Sequence, residues 1–400
     1  MAEKIKDTFR GYDYLLAVVV ILVGVFGVVM VYASAHEGVL GIPRSTINMF
    51  GGAWMRQRAY IISGVVIMVL ISLIDYRRVT RFYWYIYGLM IVLLVVVMLY
   101  GETDGTNVAR WIWIRLPGRN AISMQPSEFA KIFMILFLAK FLSVNKDSFN
   151  RVLWLGPVLL LIVVPVLLVT LQPSLSASLV VLFISLTVLF VAGLYYRTII
   201  VGIGLFSPLA VLLWLDMQRI QPLFLTHLLG NFQWRRIETW RISVFGDIAQ
   251  VLGRDEFMQT QQSLYAISSG GLTGKGFLNN TWVIHGHNDF IFSVVAEQFG
   301  FVGAATLLGA IAFIIVRCIL IALRAVDMEG RLIAAGVAGM LIFETFVHVS
   351  VATNLLPNTG MPFPFMSFGG SMIWVHMIAM GFVLNIKLPR KTKTKFGDEE

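Results

Sequence analysis

The chain has 400 residues, of which 58% are apolar and only 13% charged, and its mean hydropathy is +0.81. Soluble domains carry roughly 25% charged residues, so a water-soluble fold could not cover this much apolar surface. The single cysteine, Cys318, excludes an intrachain disulfide and a cysteine-rich metal site, and the basic residues behind the net charge of +9 are dispersed between apolar runs rather than gathered into a nucleic-acid patch. The apolar runs are long and continuous, whereas a membrane β-barrel alternates with period two. The expectation is therefore an all-α polytopic membrane protein, a single integral membrane domain over residues 1–400.

In chain order, ten spans near the roughly 20 residues needed to cross the hydrocarbon core are expected at 14–35, 58–75, 82–100, 128–143, 153–170, 175–193, 198–215, 290–323, 331–352 and 371–388. The first follows Lys4, Lys6 and Arg10 and is too long for a signal-peptide core, so it reads as a retained helix. Counting Lys and Arg on alternate sides puts seventeen on the side of both termini, packed in short loops and tails, and twelve on the other, mostly in long segments. The positive-inside rule weights the short loops, so residues 1–13 and 389–400 are expected in the cytoplasm and 216–289 as a large extracytoplasmic loop. Eleven of the twelve outer basic residues are arginine, whose planar fork suits phosphate and carboxylate partners.

Several motifs could carry chemistry. Gln125-Pro126-Ser127-Glu128 opens the fourth span, with Pro126 and Ser127 as a helix start and Glu128 in the first turn. Lys131 follows one turn deeper, where it can pair with Glu128 or face a cavity, the usual position of an intramembrane cation. In the outer loop Trp234, Ile237 and Trp240 recur at helical spacing among Arg235, Arg236, Glu238 and Arg241, the pattern of an amphipathic helix at the interface. Gly270-Gly271-Leu272-Thr273-Gly274-Lys275-Gly276 is not a nucleotide phosphate loop, because Ser269 and Gly276 stand where Gly and Ser/Thr are required. It reads either as a helix C-cap and turn or as a flexible backbone that brings Lys275 to a phosphate. Asp289, where the outer loop re-enters the membrane, either caps the next helix or serves as a general base whose pKa is raised by apolar neighbours. Glu297, Glu344 and His348 are intramembrane; Glu344 and His348 share a helix face, a pair that supplies too few ligands for a metal and reads as a structural polar contact.

Taken together and in order, these motifs resemble the RodA/FtsW family of shape, elongation, division and sporulation proteins. The resemblance rests on Arg110-Trp111-Ile112, Gln125-Pro126-Ser127-Glu128 with Lys131, Gln172-Pro173, the Ser269–Gly276 run, Asp289-Phe290-Ile291-Phe292-Ser293 with Glu297, Leu356-Pro357-Asn358-Thr359-Gly360, and Phe365-Met366-Ser367-Phe368-Gly369-Gly370-Ser371. Arg56-Gln57 is similar to the family's pair ahead of the second span. The chain departs from the family pattern at Ser174, where an acidic residue is usual after Gln-Pro, at Asn288, where threonine is common, and at Phe368, where tyrosine is commoner.

The resemblance implies a peptidoglycan glycosyltransferase of the bacterial cytoplasmic membrane. It would polymerise lipid II into lipid-linked glycan on the outer face beside a class B penicillin-binding protein. It puts the family's essential aspartate on Asp289 and makes Arg56, Arg110, Glu128, Lys131 and Lys275 the candidate substrate-binding residues. No protein metal site is expected; a divalent cation, Mg or Mn, is the alternative to arginine and lysine for neutralising the departing pyrophosphate. A lipid-linked precursor flippase and a non-catalytic scaffold for a penicillin-binding protein are the alternatives from other classes.

Overall fold

The computed structural model describes residues 12–34, 52–103, 109–114, 122–146, 152–172, 174–195, 231–279 and 283–388, with isolated positions between 204 and 212. The expected seventh span at 198–215 and both chain ends lie outside these residues. In chain order come α1 (Tyr14–Ser34), α2 (Ala53–Leu73), α3 (Tyr76–Thr80), α4 (Tyr83–Tyr100), β1 (Glu102–Thr103), β2 (Ala109–Ile114), β3 (Ile122–Met124), α5 (Pro126–Val144), α6 (Val152–Leu171) and α7 (Leu175–Val191). After the undescribed stretch follow α8 (Asn231–Phe245), α9 (Asp255–Gly270), α10 (Ile291–Arg324), α11 (Met328–Ala352) and α12 (Gly370–Lys387). Helices α1, α2, α4, α10, α11 and α12 are long and apolar enough to cross a membrane. Helix α5, at the expected fourth span, carries three charges, Glu128, Lys131 and Lys140.

Helices α11 and α12 are the most enclosed of the long spans and, with α5, form the centre of the bundle. Around them α2 packs on α12, α10 and α7 on α11, α4 on α5, and α1 between α2 and α10. Without a hydrophobic drive between helices in lipid, such packing relies on close approach and on polar pins. Gln57 of α2 donates to the carbonyls of Met366 and Ser367, both at 3.1 Å. Asn385 of α12 accepts from Tyr76 N at 3.0 Å and donates to Ser72 O at 2.6 Å. Lys140 pairs with the buried Glu329 at 2.7 Å, and Thr80 Oγ1 bonds the same carboxylate.

Two expectations are adjusted, and one small element is new. The second helix begins at Ala53 rather than 58, so Arg56 and Arg58 sit in its first turns with their side chains exposed; long arginine stems let a helix end enter the interface while the charge stays wet. The eighth span is two helical pieces joined at Gly300, which has φ 65° and ψ −163°. The loop ahead of α5 forms a three-stranded antiparallel sheet, with Ile112 opposite Met124 and Trp113 opposite Ser123. The expected amphipathic segment is α8, whose Trp240 Nε1 donates to Asn354 O at 3.1 Å.

The break in α10 explains the glycine-rich motif. Helix α9 ends at Gly270, and the turn that follows supplies the bonds the kink lacks: Lys275 N donates to Glu297 O and Gly276 N to Gln298 O, while Phe301 N and Val302 N donate to Gly271 O and Leu272 O. A Cβ on Gly274 would lie 2.1 Å from Gln298 O, so only a glycine backbone fits against the interrupted helix. The motif is a C-cap and turn that clamps α10.

Candidate active site

A cavity of about 230 Å³ opens between the starts of α5 and α7, helix α8 and the segments that lead into α10 and α12. Its charged lining consists of Arg110, Glu128, Arg236 and Asp289. Each comes from a different element. Arg110 stands on β2, whose pairing with both neighbours sets its direction. Glu128 lies in the first turn of α5, where Pro126 needs no N–H partner and Gln125 occupies the N-cap. Arg236 projects from α8. Asp289 ends a tight turn in which Asn288 N and Asp289 N both donate to His285 O at 3.0 Å.

Asp289 is not the cap of the helix that follows. The helix starts at Ile291, Phe290 holds the N-cap position, and no side chain makes the capping bond. Burial pushes the Asp289 carboxyl above its ordinary value of 3.8, and the charges of Arg236 and His285 only partly offset this. Burial lowers the Arg236 guanidinium, against the pull of Asp289 and Glu256. Arg110 is lowered by burial and by Arg236, its like-charged neighbour. The cavity thus holds two arginines within each other's field and a carboxylate beside one of them, all poorly solvated. His287, pushed down to about 4 by burial and by His285, is neutral at physiological pH.

The Leu356–Gly369 stretch between α11 and α12 forms the floor. It is non-helical and largely buried, which is tolerated at membrane depth only where protein or a cavity satisfies the backbone. Here Ser176 Oγ donates to Thr359 O at 2.5 Å, Arg236 Nη1 to Asn358 O at 3.2 Å, Phe368 N to His287 O at 2.9 Å, and Ser367 Oγ to Asn288 O at 2.6 Å. Gly360, at φ 68°, passes between the two key side chains. A Cβ there would lie 3.3 Å from Arg236 Nη1 and 3.5 Å from Asp289 Oδ2.

The candidate residues divide. Glu128, Arg110 and Asp289 meet at the cavity. Arg56 stands at its rim, its guanidinium 5.5 Å from the ring of Phe368, a cavity residue. Lys131 does not reach the cavity: it is 1% exposed, with Nζ 2.7 Å from Glu128 Oε2 and 2.6 Å from Glu344 Oε1. Glu344 in turn meets His376 Nε2 at 2.6 Å, so its partner across the bundle is not His348, whose Nδ1 contacts Met361 O at 2.7 Å. Lys275 pairs with Glu297 at 2.5 Å beside the α10 kink and does not line the cavity. Ser174 lines the cavity at the position where an acid is usual, leaving Glu128 and Asp289 as its only lining carboxylates among the described residues. The residue missed from sequence is Arg236. Its signal was present in the arginine-rich face of the amphipathic segment, but nothing in one dimension aimed it at Asp289.

The FtsW/RodA/SpoVE family model, described as a cell cycle protein family, matches residues 13–392. The chain belongs to this family. It is 35% identical over 350 residues to the peptidoglycan glycosyltransferase MrdB of Escherichia coli K12, covering 86% of this chain and 88% of the relative. Against the probable peptidoglycan glycosyltransferase FtsW of Bacillus subtilis it is 25% identical, covering 96% and 92%. Two solved structures share the fold. One is a chain from work on how a peptidoglycan synthase complex coordinates polymerization and crosslinking, with TM-score 0.72, 27% identity and coverage of 94% and 97%. The other is the rod shape determining protein RodA of Thermus thermophilus, with TM-score 0.64, 28% identity and coverage of 94% and 96%. The activity class that goes with this FtsW/RodA/SpoVE membership is peptidoglycan glycosyltransfer, carried out by a multi-pass membrane protein.

Proposed function

We propose that this protein polymerises lipid II at the outer face of the cytoplasmic membrane, with the Arg110–Glu128–Arg236–Asp289 cavity as the transfer site. The observation that carries the reading is the partly desolvated Asp289 beside Arg236 in a cavity with a second arginine. The donor's anomeric carbon bears undecaprenyl pyrophosphate, already a good leaving group, so the site needs no strong acid. It needs positive charge for the diphosphate and a base for the acceptor. Arg110 and Arg236 supply the charge through planar forks suited to phosphate oxygens, and water exclusion strengthens their effect. The Asp289 carboxylate takes the proton of the acceptor's 4-hydroxyl as that oxygen bonds the anomeric carbon. The bond from that carbon to the diphosphate oxygen breaks, and the single displacement turns an α-linked donor into a β-linked glycan.

Glu128 orients the bound sugars and is itself held by Lys131, which acts as a positioning residue. Arg56 meets the substrate at the rim. A divalent cation in place of the arginines would draw its ligands from Glu128 and Asp289, and Glu128 is already committed to Lys131. Arginine therefore carries the neutralisation in this reading. Both termini are cytoplasmic, as the basic residues of the short loops favour, and the 216–289 loop is extracytoplasmic. The partner is a class B penicillin-binding protein; the likeness to a chain of a synthase complex that also crosslinks supports this. Neither a flippase nor a scaffold needs a poorly solvated carboxylate beside paired arginines.

The test is glycan synthesis by the purified full chain from lipid II, with and without the penicillin-binding protein, comparing wild type with Asp289→Asn. Asn preserves the size of the side chain, and a loss of about a hundredfold or more in turnover is expected, the scale of removing acid–base catalysis. Lipid II affinity should persist, because the base acts mainly in the transition state. Near wild-type synthesis by a folded Asp289→Asn protein would exclude the assignment.

A further inference from the structure

A second cavity, of about 310 Å³, lies at the opposite end of the bundle, between α3, the end of α10 and the end of α12. It has no counterpart in the transfer chemistry. Four cations line it, Arg77, Arg317, Arg324 and Lys387. Three of them are paired with two carboxylates. Asp327 accepts from Arg77 Nε at 2.8 Å and from Tyr76 Oη at 2.8 Å, and it also accepts from Gly330 N at 2.7 Å, the capping bond at the start of α11. Asp13 takes Lys387 at 3.0 Å and bonds Arg317.

Both carboxylates are ionised at neutral pH. Burial would raise them, but for Asp13 the bonds from Arg317 and Lys387 prevail, and for Asp327 the Gly330 N–H, Tyr76 and Arg77 do. Four cations against two carboxylates leave two positive charges in excess. Access separates one set of pairs: the Arg317 and Lys387 side chains are 26% and 34% exposed, whereas their partner Asp13 is 2% exposed; Arg77 and Asp327 are both reached by solvent, at 42% and 31%. An arriving anion meets the Arg317 guanidinium and the Lys387 ammonium in front of their buried partner Asp13, and the exposed Arg324 beside them. Each arginine carries five N–H donors, of which a carboxylate occupies two at most.

The rest of the wall is apolar: Leu320, Ile321, Val326, Ile386 and Leu388. Val326, in this wall, is 88% exposed, beside an ionic cluster rather than mid-span. A basic pocket between membrane helices with an apolar flank fits an anionic head group joined to an acyl chain.

We propose that this cavity binds a phosphate-bearing anion, with the head group of an anionic membrane phospholipid as the occupant its apolar wall fits. The site lies on the side that the basic loops assign to the cytoplasm, and it does not depend on the transfer reading.

The test measures lipid retention by native mass spectrometry on the purified full chain. It compares phosphatidylglycerol, phosphatidylcholine and, as a competitor, millimolar inorganic phosphate. Wild type should retain one phosphatidylglycerol and no phosphatidylcholine. Arg324→Gln with Lys387→Gln leaves the Arg317–Asp13 and Arg77–Asp327 pairs intact, and should weaken retention about tenfold, as the loss of a charge-assisted contact implies. Arg78→Gln with Arg81→Gln removes as much charge from the same side outside the cavity and should retain the lipid. Should the first pair of changes unfold the protein, Arg324→Gln alone, at an exposed side chain, is expected to weaken retention about threefold. Displacement of the lipid by inorganic phosphate would identify the free anion as a sufficient ligand of the same site; resistance to it would identify the lipid. Equal retention by wild type and both cavity variants, or equal loss in the Arg78/Arg81 control, would overturn the proposal.

Discussion

Replacing Lys131 by Met separates a substrate contact from a buried ionic scaffold. Lys131 Nζ sits 2.6 Å from Glu344 Oε1 and 2.7 Å from Glu128 Oε2, and the side chains of Lys131 and Glu344 are 1% and 0% exposed. Water cannot replace the lost ammonium there. Removing one partner of a buried pair costs about 3–5 kcal/mol, because an uncompensated charge is left behind. Here two carboxylates lose their shared cation, and Glu344 keeps only His376 at 2.6 Å. The variant should therefore unfold earlier, with a folded population reduced by about two to four orders of magnitude relative to unfolded, about 1.4 kcal/mol per factor of ten. Cys318 provides the assay without engineering: it is the chain's single cysteine and fully buried in α10, so a thiol-reactive dye reports unfolding on heating. Removing all three charges, Lys131→Met with Glu128→Gln and Glu344→Gln, should recover most of the stability, since apolar or neutral replacement of a whole buried network is often neutral. A Lys131→Met protein that melts with the wild type yet makes no glycan would refute the reasoning and put Lys131 in contact with the substrate.

Other outcomes follow from the same geometry. If Asp289 is the base, kcat/KM should fall on the acid side with an apparent pKa above 3.8, since burial raises that carboxyl and it must be ionised to act. Arg236→Gln removes a charge that lowers it and should move this limb to higher pH; an unmoved limb would dissociate the two residues. Lys275→Met should destabilise the protein by about 1–3 kcal/mol, the cost of a stranded buried group, while leaving KM for lipid II unchanged, because its partner Glu297 lies at the α10 kink and not at the cavity. A raised KM at normal stability would return Lys275 to the substrate. A cysteine at Arg254 should react with an impermeant thiol reagent from outside intact cells and one at Arg78 should not, with buried Cys318 silent in both; the reverse would invert the proposed orientation.

Much of the fold was legible because the bilayer reads composition directly. Helix α1, α4 and α11 could be drawn from apolar length alone, since a lipid-facing backbone has to bond within its own segment. The start of α5 was equally plain, as Pro126 and Glu128 belong to the first turn of a helix on any tertiary background. Local rules failed where distant chain segments supplied the bonds. The kink at Gly300 is stable because the turn after α9 donates to the carbonyls of Glu297 and Gln298, a fact about two segments more than twenty residues apart. The same clamp is what the C-cap reading of the glycine-rich motif requires.

The site shows the same division. The residue types were visible in the sequence: a carboxylate at a membrane re-entry, a cation one turn into a span, and basic residues on one side that are nearly all arginine. Only the tertiary structure decided their partners. It gave Lys131 to Glu344 across the bundle, gave Lys275 to Glu297, and brought Arg236 from α8 to Asp289 past the bare backbone of Gly360. The physical reason is that apolarity and helix propensity are properties of single residues and their near neighbours, whereas an ion pair depends on the distance and solvation of two groups that only packing sets.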